Sequence, residues 1–129
     1  MSAKQVDIDG RKFNVAQASA AEQKSLLSKI GAKISLVSAA SGAEEIDSTL
    51  LFGALLSLPE SEFDAVAEIV LYKTVENGKD KIVGVGDFQD QASSYYRLVA
   101  EAVVVNLADF FTYLDSVNAA TREAVKKAS

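Results

Sequence analysis

DQASSYYRLVAEAVVVNLADFFTYL, residues 90–114, decides how the whole chain reads. Its polar residues Asp90, Ser94, Arg97, Glu101, Asp109 and Thr112, continued by Ser116, recur at helical steps. Such steps place them on one narrow line of a helix. Off that line stand Val103, Val104, Val105, Leu107, Phe110 and Phe111, so most of the circumference must be covered by other parts of the protein. The β-branched run Val103–Val105 favours a strand locally. A stretch this long with neither glycine nor proline nevertheless exceeds any ordinary strand. The pattern predicts one long C-terminal helix around which the rest is built.

The chain that leads to this helix opens with a hairpin. Lys4–Ile8 and Arg11–Val15 flank Asp9-Gly10, a pair that takes the positive φ angles of a two-residue turn. Closing that turn sets Ile8 opposite Arg11, Asp7 opposite Lys12 and Val6 opposite Phe13. One face then carries Val6, Ile8, Phe13 and Val15, while Asp7 and Lys12 pair on the other. Ser19 and Glu22 form a capping box, and Leu26, Leu27, Ile30, Ile34 and Val37 keep helical phase past Gly31. That glycine either ends a helix or weakens a longer one. Ser38–Asp47 is small, polar and acidic, and reads as a loop. Asp47 or Ser48 can cap a wholly apolar helix through Leu58.

Pro59 suits the first position of the next helix. Its buried stripe is Phe63, Val66, Ile69 and Val70. Glu60, Glu62 and Asp64 sit near its positive end and Lys73 near its negative end. Asn77-Gly78 could turn a hairpin, but two-residue closure would set Val75 against Asp80, so a helix cap is the better reading. Gly84–Phe88 is a loop into the long helix. Beyond Leu114 the apolar pattern thins to Val117, Ala120, Ala124, Val125 and Ala128. It leaves open whether the helix continues or breaks near Asn118, and Lys126-Lys127-Ala-Ser reads as frayed. The expected architecture is mainly α (α+β): an N-terminal β-hairpin followed by a four- to five-helix bundle around a long C-terminal helix. It forms a single domain over 1–129, with the hairpin at 4–15, a helical core at 20–117 and a C-terminal extension at 118–129.

Composition narrows the function. Apolar residues make up 49% of 129 and mean hydropathy is +0.12, enough to build a core and leave apolar surface for a partner or for other copies. A net charge of −5 disfavours nucleic acid and anionic membrane. Cysteine is absent, which excludes a disulfide framework. The opening MSAKQVDIDG holds no apolar signal core, and Thr49–Leu58 is far shorter than the roughly 18 apolar residues of a membrane span.

Chemistry-bearing motifs are scarce. Without histidine or cysteine, the commonest general base, the soft nucleophile and the usual zinc ligands are missing. Asp7 and Asp9 fit a turn better than a calcium loop, whose glycine would come later and whose twelfth-position glutamate is lacking. Gly84-Val-Gly86 and Gly78-Lys79 lack the rest of a dinucleotide or phosphate motif. Glu44, Glu45 and Asp47 read as a solvated acidic loop, and Arg97 with Glu101 as a surface pair one turn apart. No catalytic residue, cofactor site or metal site is assigned. An enzyme would have to work through converging carboxylates, such as Glu101 or Asp109 with a loop acid.

What remains is interaction surface. Tyr96, Ala100, Val103, Leu107, Phe110, Leu114 and Val117 step as a heptad seam suited to helix packing. Most of that seam is expected to be intramolecular core. Tyr95, Phe111 and Tyr113 are the better partner-binding candidates, because aromatic rings serve half-wet contact sites. Tyr96, Phe110 and Leu114 complete the candidate set.

The order of these features resembles a known family. The Asp9-Gly10 hairpin, Phe13-Asn-Val-Ala and Ser19-Ala-Ala-Glu-Gln before a leucine pair look like a phage tail assembly chaperone. So do Gly86-Asp-Phe88, Tyr95-Tyr-Arg-Leu-Val-Ala-Glu-Ala and Asn106-Leu-Ala-Asp-Phe-Phe111. The resemblance covers most of residues 5–111. It implies a non-enzymatic, oligomeric protein of the bacterial host cytoplasm, left out of the mature virion. Its expected partners are the tape measure protein and the tail tube protein. Family members are often made also as a longer form by ribosomal frameshift. The competing class is a tail or connector subunit retained in the particle.

Overall fold

A computed structural model describes residues 3–41 and 48–128. Strands β1 (Ala3–Ile8) and β2 (Arg11–Ala16) form the expected hairpin. Ile8 pairs with Arg11, Asp7 with Lys12 and Val6 with Phe13. Asp9 and Gly10 take φ of 53° and 87°, the two positive angles such a turn demands. Phe13 and Val15 are fully buried beneath the helices, so the alternating pattern aims one face of the hairpin at the core.

Helix α1 (Ala20–Ser41) starts at Ser19, whose Oγ accepts the Glu22 N–H at 3.2 Å and donates to the Glu22 carboxylate at 3.1 Å. It passes through Gly31 without ending and extends into what reads as loop at Ser38–Ser41. The acidic residues Glu44, Glu45 and Asp47 lie outside the described residues. Leu26, Ile30 and Ile34 face the core, whereas Leu27 turns outward. Helix α2 (Ser48–Leu56) ends before Leu58, and Pro59 stands one place ahead of helix α3 (Glu60–Val70) rather than at its first position. Phe63, Val66 and Val70 are buried, with Ile69 packed against them. Lys73 lies beyond the end of α3.

Asn77-Gly78 is not a helix cap. Helix α3 stops at Val70, and Val75–Glu76 forms a short strand, β3, antiparallel to β2 and third in the order β1-β2-β3. The chain then turns at Gly78 (φ +85°), with Lys79 N–H donating to the Glu76 carbonyl at 3.0 Å. Val75 comes to face Ile82, not Asp80. The poor pairing that argues against a hairpin therefore never arises, because Lys79–Lys81 loop out before pairing resumes. A short 3-10 helix, Val85–Phe88, follows, and the Asp87 carboxylate accepts the Gly84 N–H at 2.9 Å.

The long helix read over residues 90–114 is two: α4 (Ala92–Asn106) and α5 (Ala108–Ala128). They part at Leu107, whose φ of −118° and ψ of 29° leave helical geometry. Leu98, Val99, Ala100, Ala102 and Val103 are fully buried, so α4 is the central element. It is contacted by α2, α3, β1, the 3-10 helix and α5. The thin polar stripe divides accordingly. Ser94 is buried, and Arg97 is paired with Asp9 rather than with Glu101. Helix α5 does not break at Asn118. No described helix is long and apolar enough to cross a membrane.

Candidate interaction surfaces

Two contacts between distant parts of the chain fix the surfaces. At the hairpin tip, the Asp9 carboxylate accepts from Ser94 Oγ at 2.8 Å and from Arg97 at 2.9 Å. The Arg97 bond, then that of Ser94, holds the Asp9 carboxyl below its usual range. At the other end of the turn, Arg11 makes a fork on Glu76 at 2.8 and 3.0 Å and reaches Gln91 at 2.7 Å. Its guanidinium lies 4.5 Å from the ring centre of Phe88 and 5.2 Å from that of Phe13. The fork, against the opposing cost of burial, pulls Glu76 down to about 2. β2, β3 and the 3-10 helix are thereby joined to the start of α4.

On that frame the aromatic side chains sort into two kinds. Tyr96 stacks on Phe63 with ring centres 4.0 Å apart, and Tyr95 meets Phe63 and Phe88 at 5.9 and 5.4 Å. Both tyrosines are half-buried, and burial raises the pKa of Tyr95. Phe111 and Leu114 are buried in the core. Phe110 is half-buried, whereas Tyr113 is 65% exposed. Of the six candidate residues, the structure therefore gives Phe111 and Leu114 to packing and leaves Tyr113 outermost.

Phe110 and Tyr113 line a groove of about 470 Å³ between α1 and the α4–α5 junction, opposite Leu27 and Lys24. Leu27 is 37% exposed, although the sequence puts it in phase with core residues. A second groove, of about 340 Å³, runs between α3 and the β3 turn. Leu71, Tyr72, Ile82, Val83 and Tyr95 form its apolar wall, and Asp64 and Glu68 stand at its edge. Tyr72 and Ile82 are 59% and 54% exposed. Sequence reasoning missed both, because their exposure depends on where α3 stops and β3 turns. Among the described residues no three His, Cys, Asp or Glu side chains gather where a metal ion could be held.

The chain is mainly α with an N-terminal β-hairpin and carries open apolar grooves. The family model for phage tail assembly chaperone protein (TAC) matches residues 9–118, and the chain belongs to that family. No curated protein and no solved structure matches it.

Proposed function

We propose that this protein holds the tape measure protein in soluble form until tail tube subunits assemble around it, and that it does so without catalysis. The observation that carries the reading is the groove of Leu27, Phe110 and Tyr113, open along one side of α1. A long tape measure helix exposes more apolar surface than a protein in water tolerates. An amphipathic segment can lay its apolar face into a groove of this kind, reading it through residues three and four apart. The net charge of −5 keeps the loaded complex dispersed. Many copies are needed to cover so long a client, so the chaperone self-associates along it in the host cytoplasm and leaves before the virion matures.

Co-expression with the tape measure protein tests this. The client should stay in the soluble fraction with this chain and precipitate without it, and purified particles should lack the chain. A client equally soluble alone, or the chain found in mature particles, overturns the reading.

A further inference from the structure

Helices α1 and α3 carry opposite charge on side chains that are exposed, save Lys33, which is half-buried beside α2. After Glu22, which is tied to Ser19, α1 holds Lys24, Lys29 and Lys33 and no acid. Helix α3 holds Glu60, Glu62, Asp64 and Glu68 and no base. Among the described residues none of these seven has an ion-pair partner. Apart from Glu22, the described part of the chain thus presents one basic and one acidic helix.

The two faces also match in spacing. On α1, Lys29 and Lys33 lie one turn apart and are followed three residues later by Leu36, 70% exposed. On α3, Asp64 and Glu68 lie one turn apart at the edge of the 340 Å³ groove, and Leu71, part of its apolar wall, comes three residues later. Residues four apart on a helix sit about 5–6 Å from each other. The basic pair can therefore meet the acidic pair in order while the leucine enters the groove.

We propose that the α3 groove is the docking site for α1 of a second copy, with Lys29 over Asp64, Lys33 over Glu68 and Leu36 against Leu71 and Tyr72. The contact joins two different surfaces, so every copy uses both, and the assembly closes as a ring or runs on as a helical filament. Leu36 lies about 180° round the helix from Leu27 at 100° per residue. Self-association and the client groove thus use opposite sides of α1. This inference deepens the self-association proposed above by naming its interface.

The test is light scattering of the purified full chain with no tail protein present, so a failed client assay leaves its result readable. Lys29→Glu with Lys33→Glu should weaken self-association about tenfold, as should Asp64→Lys with Glu68→Lys. An equimolar mixture of the two variants should restore the wild-type mass, and raised salt should lower that mass. Circular dichroism melts check that both variants fold; if either does not, Lys29→Gln with Lys33→Gln is measured alone, without the mixture, and should lower the wild-type mass. A wild-type chain that stays monomeric overturns the proposal. So do folded variants that keep the wild-type mass, or a mixture that fails to restore it.

Discussion

Asn106 Oδ1 accepts the backbone N–H of Ala18 at 2.7 Å. Ala18 stands in the connection between β2 and α1, and Asn106 is the last residue of α4. The same amide donates to the Ala102 carbonyl at 2.9 Å, and Gln17 Nε2 caps the Val105 carbonyl at 3.2 Å. Backbone groups freed where the helix parts at Leu107 are thus tied to the segment that starts α1. Asn106 and Leu107 also line the groove that contains Phe110 and Tyr113.

Asn106→Ala should therefore destabilise the fold by about 2 kcal/mol, since it strands donors and acceptors that water reaches poorly. Urea unfolding followed by circular dichroism measures this. A loss below about 0.5 kcal/mol would show that the junction holds without the amide.

The Arg11–Glu76 fork predicts an acid-sensitive fold. Glu76 titrates at about 2 when folded, against 4.5 as its ordinary value. As pH falls below 4.5, the unfolded chain takes up this proton first, so the fork's contribution is complete above that value and is lost on the way down to 2. Glu76→Gln should cost about 2 kcal/mol at pH 7 and flatten the slope of stability against pH between 4.5 and 2. Thermal melts across that range give both quantities.

Gly53 stands exposed in the interior of α2, with nothing within 4 Å of the position a Cβ would take. Gly53→Ala should raise stability by about 0.5–1 kcal/mol, because alanine has less backbone freedom to lose. Gly10→Ala should do the reverse, costing about 1–2 kcal/mol at a φ of +87°. Chemical denaturation of the two variants should show shifts of opposite sign.

Tyr113 and Phe111 separate binding from folding on the same helix. Tyr113→Asp should leave stability within about 0.5 kcal/mol of wild type while lowering the fraction of soluble tape measure protein in co-expression. Phe111→Ala should cost about 3 kcal/mol or more by opening a hole in the core. Equal client solubility with Tyr113→Asp would remove the α1–α5 groove from client binding.

Short-range order was readable from residue types alone. Asp9-Gly10 defined the turn, and the turn with the alternating Val6, Ile8, Phe13 and Val15 defined the register. Ser19 with Glu22 defined the start of α1, and apolar residues at helical steps pointed to a mainly helical chain. These features involve neighbours a few residues apart, where steric and hydrogen-bonding preferences act directly. The break at Leu107, the pairing of Val75–Glu76 with β2 and the outward turn of Leu27 depend on Ala18, Phe13 and Phe110. Those partners are distant in the chain, and no local pattern names them. The grooves also belong to the tertiary structure, because a side chain's exposure depends on what packs beside it. An apolar residue in helical phase looks the same in sequence whether it closes the core, as Phe111 does, or stands in water, as Tyr113 does.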